Sequence, residues 1–132
     1  MTDQTVEQEE FRLSDINRFR RHPRVRIATP FSCALSSLKP RHWLRKPTVN
    51  LGVVYDLSLR GARVSTCAVV RPGDEVRVSL RLPKQIRSAD ISLATVRWVK
   101  DQFVGLAFTR LSASSYGRLK KYVAIATGTV RV

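Results

Sequence analysis

The chain has 132 residues, 43% of them hydrophobic, which is enough for one core without covalent staples and too short for two. Its 24 Lys and Arg against 10 Asp and Glu give a formal net charge of +14, so the expected partner is anionic: nucleic acid, anionic lipid, a phosphorylated ligand or an acidic protein. Two widely spaced cysteines, Cys33 and Cys67, with only His22 and His42 beside them, do not make a zinc site, and the acidic N-terminus has no secretory leader. No apolar run approaches the ~18 residues of a membrane span, so a soluble, cytoplasmic protein is expected.

The charge is uneven along the chain. Asp3, Glu7, Glu9, Glu10 and Asp15 put half of all the acids in the first fifteen residues, opposed there only by Arg12. Residues 1–17 read as a flexible acidic tail, with a short helix from Ser14 to Phe19 as an alternative for its end. Arg18 to Arg26 then holds five arginines together with His22 and Pro23. Pro23 disfavours helix at His22, so this cluster is extended or irregular. Taken alone, it is most simply a solvated basic linker.

Val25, Ile27, Thr29, Phe31, Cys33 and Leu35 alternate with polar residues and predict a long strand, in which Pro30 must lie at an edge or a bulge. Residues 36–48 form a basic loop carrying Trp43 and Leu44, which either pins the loop to the domain or touches a partner. Val49–Leu57 and Ala62–Thr66 predict a hairpin. Its turn contains Asp56 and Ser58, whose side chains can bond local backbone, and Gly61, expected to supply a positive φ. Pro72-Gly73-Asp74 marks another turn, and Glu75 to Leu82 alternates almost perfectly. Ile91 and Leu93 open a further strand whose apolar phase shifts to Val96 and Trp98, a shift that a β-bulge explains. Lys100-Asp101-Gln102 turns into a strand from Phe103 to Thr109. Ser112 caps a closing helix with Tyr116, Leu119, Val123 and Ala126 on one stripe. These elements predict an all-β-dominated domain, a small antiparallel six-stranded β-barrel with a C-terminal α-helix, over residues 18–126 and followed by a tail at 127–132.

Arg20-x-x-x-Arg24 and Asp56-x-Ser58-x-x-Gly61, in that order, resemble the two signatures of the PilZ domain, a bacterial receptor for cyclic di-GMP. Val96-Arg97-Trp98 with Phe103-Val104-Gly105-Leu106-Ala107-Phe108 resembles that family's last hairpin, and Arg118 to Val123 the start of its closing helix. The likeness spans about residues 19–124. It implies that Arg20 and Arg24 contact phosphates and guanine edges with Arg21 assisting, that Asp56 and Ser58 hydrogen-bond the ligand, and that Gly61 lets the turn approach. It also implies a protein partner to which occupancy is relayed by ordering of the arginine segment.

The chemistry of the ligand suits these residue types. Guanine offers N7 and O6 to an arginine fork and its N1 and N2 donors to a carboxylate. Two other readings remain open: a nucleic-acid-binding small barrel, and a PilZ module that binds a partner without the ligand. Against the first, the strand aromatics occupy positions expected to be buried, which leaves Trp43 as the main stacking platform. Catalysis is not expected, since no histidine has a carboxylate or nucleophile partner in sequence and no phosphate-cradling glycine loop occurs. Neither a metal nor a resident cofactor is expected.

Overall fold

The structure, a computed structural model, describes residues 10–12, 25–38 and 49–126. Its elements are β1 (Glu10–Arg12), β2 (Val25–Ser37), β3 (Val49–Leu57), β4 (Gly61–Thr66), β5 (Glu75–Leu80), β6 (Ala89–Lys100), β7 (Phe103–Ser112) and α1 (Ala113–Ala126). The sheet order is β1-β7-β4-β3-β2-β5-β6, and β6 also pairs with β7. All pairings are antiparallel, so β2 to β7 close into a six-stranded barrel, as the alternation predicted. Closure pairs most of each strand and so removes most of the open edge that invites aggregation.

The period-two pattern becomes burial. Phe31, Cys33 and Leu35 of β2 and Val76, Val78 and Leu80 of β5 point inward and are buried. Each such side chain contributes roughly 1.5–3 kcal/mol relative to exposure. The β2–β3 register shifts between Arg26 and Phe31, which places exposed Pro30 in the irregularity expected of it. In β6 the register shifts around Leu93, so that Ile91 and then Ala94 and Val96 reach the core. The turn at Arg71–Asp74 has Gly73 at φ 97° and Asp74 accepting the Arg71 N–H at 2.9 Å.

Ser112 caps α1 by accepting the Ser115 N–H at 3.1 Å. Leu119 and Val123 are buried and the helix packs on β6 and β7, with Tyr122 meeting Phe31 edge-on at 5.6 Å. The stripe drawn from sequence is displaced at its end: Ser115 is buried, whereas Ala126 is exposed. Ser115 is tolerated inside because its hydroxyl accepts the Asp90 N–H at 3.0 Å.

One strand was not expected. Glu10–Arg12, assigned to the acidic tail by sequence, pairs with β7 through Glu10↔Ser112, Phe11↔Leu111 and Arg12↔Arg110. It occupies the edge of β7 that β4 leaves uncovered beyond Ala107. The remainder of the tail and the proposed helix Ser14–Phe19 lie outside the described residues.

Candidate functional site

The hairpin of β3 and β4 is organised by a bulge. The pairing runs Val54↔Val64 and then Asp56↔Arg63, which leaves Tyr55 without a register partner on β4. One extra residue reverses the phase of everything after it. Val54 and Leu57 therefore both face the core, and Asp56 is turned to the outer surface beside Arg63.

Asp56 is not the isolated acid that its sequence context suggests. Its Oδ2 accepts the Nε–H of Arg63 in an ion pair, and the residue is only 7% exposed. The Arg63 guanidinium lies 4.8 Å from the centroid of the Phe103 ring and 5.7 Å from that of Tyr55, which meet each other edge-on at 5.5 Å. Aromatic faces attract the cation, so the fork is held in one position over the carboxylate. A carboxylate has about four acceptor sites, so this contact leaves capacity for further donors.

Ser58 and Gly61 shape the turn. The Ser58 N–H donates to the Gly61 carbonyl at 2.9 Å and the Ser58 hydroxyl accepts the Arg60 N–H at 3.1 Å. Phe108 then donates its N–H to the Arg60 carbonyl at 2.8 Å, tying the turn to β7. Gly61 does not have the positive φ expected of it; among the described glycines only Gly73 does. Its requirement is one of space, since a Cβ there would stand 2.2 Å from the Leu106 carbonyl oxygen.

The same outer row continues across the sheet. Arg26 pairs with Asp56, Asp56 with Arg63, Arg63 with Gly105 and Gly105 with Trp98, so one cross-strand line passes through β2, β3, β4, β7 and β6. Trp98 is 41% exposed, contrary to the burial expected of strand aromatics. A register shift between Val96 and Trp98 is the reason. Val96 stays inward opposite Leu106, Arg97 takes up the extra residue, and the indole turns outward onto Gly105. A Cβ on Gly105 would lie 2.1 Å from Trp98 Nε1, so the glycine is the seat of the indole.

A cleft of about 310 Å³ opens along this row, and Ser58, Arg60, Gly61, Arg63, Arg97 and Trp98 are among the residues that line it. Three guanidinium groups, one hydroxyl and one indole thus share a concave surface, with the Asp56 carboxylate beneath Arg63. This donor set suits a phosphorylated, aromatic ligand. Sequence reading had singled out Asp56, Ser58 and Gly61; Arg63, Arg97 and Trp98 as site residues emerge only from the register. Arg20, Arg21, Arg24 and Trp43 lie outside the described residues. Among the described residues there is no cluster of His, Cys, Asp and Glu able to hold a metal, and no helix is long and apolar enough to cross a membrane.

A closed six-stranded barrel with a capping helix, and an Asp-x-Ser-x-x-Gly turn beside a basic cleft, make up a small single-domain β-barrel module. The model of the PilZ domain matches residues 18–124, and the chain belongs to that family. Two solved structures share the fold. The PilZ domain of CeSA from a cellulose-synthesizing bacterium matches at 16% identity and TM-score 0.53, over 79% of this chain and 96% of that one. The inhibitor of motility MotI/DgrA of Bacillus subtilis matches at 17% identity and TM-score 0.56, over 86% of this chain and 55% of that one. Comparison with curated protein sequences yields no match.

Proposed function

We propose that the chain is a cyclic di-GMP receptor in which the cleft between the Ser58–Gly61 turn and Trp98 takes one face of the nucleotide. The observation that supports this best is the cross-strand row Arg26–Asp56–Arg63–Gly105–Trp98. In this reading the Asp56 carboxylate accepts guanine N1 and N2 donors, the arginine forks meet phosphate and N7 and O6, and the Trp98 indole stacks on a base. The reading agrees with the general role of the family.

Arg20, Arg21 and Arg24 complete the site in this reading. Residues 13–24 lie in sequence between Arg12, paired to Arg110, and Val25, paired to Leu57, the residue before Ser58. Arg24 lies two residues before Arg26, the register partner of Asp56. The segment closes over the ligand from the side opposite the rigid turn, and its ordering carries occupancy to a protein partner. Four or five charge-assisted contacts of about 1.5–3 kcal/mol each, less the cost of ordering the arm, reach the roughly −8 kcal/mol of a micromolar complex.

Calorimetric titration with cyclic di-GMP, with GTP and with a short oligonucleotide tests the reading. Saturable binding of cyclic di-GMP alone, with a shallow dependence on salt, is expected. Tighter binding of the oligonucleotide with a steep salt slope would favour the nucleic-acid alternative.

A further inference from the structure

The loop between β5 and β6 presents Ile86 completely exposed, at 100% of its surface. An isolated apolar residue on a surface needs no explanation by itself. This one sits on a loop that is fixed rather than slack. Gln85 donates its N–H to the Leu82 carbonyl at 3.4 Å and its side-chain amide to the Arg118 carbonyl at 3.0 Å. Arg118 in turn donates through Nε to the Ser88 carbonyl at 3.0 Å. Leu82 is buried and anchors the other side, and Lys84 adopts a left-handed φ of 64°. That conformation is uncommon for a lysine and persists where its surroundings fix it. The isoleucine is therefore held out in water, on a loop tied to α1, when it has no internal contact to gain.

Its setting is predominantly basic. Residues 76–89 and 113–126 hold seven Lys and Arg and no carboxylate. Lys84 and Arg87 flank the tip and are exposed, and Lys120 and Lys121 are exposed on α1, just beyond the Arg118 carbonyl to which the loop is tied. Asp90, the nearest acid in sequence, accepts both the Ser79 and Ser88 hydroxyls at 2.8 Å.

We propose that this loop and the adjoining face of α1 dock on an anionic lipid surface, with Ile86 inserted at the headgroup boundary and Lys84, Arg87 and Lys121 on the phosphates. One apolar side chain among cations is poor material for a specific protein interface, which buries ~800 Å² per partner around an apolar centre. It fits the two additive terms of peripheral membrane binding, a small buried apolar area and electrostatic attraction to acidic headgroups. The surface is distinct from the nucleotide cleft, so the proposal stands independently of ligand binding.

Cosedimentation with phosphatidylcholine vesicles, with and without phosphatidylglycerol, at physiological ionic strength tests it. The wild-type chain should bind only the phosphatidylglycerol vesicles. Ile86→Ser leaves the charge unchanged and should weaken that binding by about fivefold to tenfold. Arg87→Glu, which removes one cation and adds an anion, should weaken it by tenfold or more, each charge being worth about fivefold. Val69→Ser, at an 85% exposed valine away from the loop, is the control and should have no effect. The proposal is overturned if the wild type ignores acidic vesicles or binds neutral ones equally well. It is overturned too if Ile86→Ser matches wild type or Val69→Ser, since net charge alone would then govern the association.

Discussion

Gly105→Ala is the sharpest perturbation of the cleft, because it adds one methyl group at a position whose three nearest neighbouring atoms all belong to one side chain. The nearest atoms to the added Cβ are Trp98 Nε1 at 2.1 Å, Cε2 at 2.2 Å and Cδ1 at 2.7 Å. An ordinary contact is about 3.5 Å or more, so the indole must retreat by more than 1 Å or leave its seat. Gly105 is not among the positive-φ glycines, so the backbone accepts alanine and the effect falls on Trp98. Somewhat more than half of the Trp98 surface is covered at present. For a ring that buries roughly 200 Å² when fully enclosed, about 100 Å² of contact is at stake, or ~2–3 kcal/mol at ~25 cal/mol per Å². Partial re-docking of the ring reduces this to an expected loss of about 1–2 kcal/mol in stability. Affinity for cyclic di-GMP should fall about tenfold, because the stacking face is no longer where the cleft needs it. Fluorescence of Trp98 in a Trp43→Phe background, with denaturant unfolding and ligand titration, reads all three effects. An unchanged emission spectrum would refute the packing argument, and unchanged affinity would remove Trp98 from the site.

Three further substitutions or conditions probe other parts of the account. Arg63→Ala removes the ion-pair partner of Asp56 and the cation over Tyr55 and Phe103; unfolding should show a loss of about 1–2 kcal/mol, whereas Arg63→Lys should recover part of it. Gly61→Ala drives a Cβ into the Leu106 carbonyl, which is backbone of the neighbouring strand and cannot swing away, so thermal unfolding should report at least 1 kcal/mol of destabilisation. Burial pushes the Cys33 thiol up from 9.0 to about 12, so it stays protonated and unreactive at neutral pH. A thiol reagent should therefore titrate the exposed Cys67 alone in the native protein and both cysteines after denaturation. Because the folded value is raised, the stability linked to Cys33 is full below pH 9 and declines as pH rises towards 12. A Cys33→Ala variant, though less stable for lack of packing, should lose that alkaline slope.

Local pattern carried most of the barrel. The alternation in β2 and β5 is visible because each strand keeps one face inside for its whole length, and the phase slip in β6 pointed to a bulge. What the pattern could not carry is where the later bulges fall. Extending the alternation from Val96 puts Trp98 in the core, and only the shift at Arg97 turns it out. Asp56 was legible as part of a turn motif, but its partnership with Arg63 depends on Tyr55 being skipped in the β3–β4 register. Gly61 was read for its conformational freedom, a local property, whereas its role depends on the approach of β7, which is forty-five residues away at Leu106. Glu10–Arg12 pairs only because β7 has uncovered edge beside it, and nothing in three residues announces that.

The central claim is that a guanine nucleotide sits over the row from Asp56 to Trp98, and calorimetry on wild type and Asp56→Ala tests it most directly. The account predicts saturable, roughly micromolar binding of cyclic di-GMP by wild type and a loss of tenfold or more in Asp56→Ala, matched by Arg24→Ala. No binding by the wild-type chain, or equal affinity in Asp56→Ala, would contradict it.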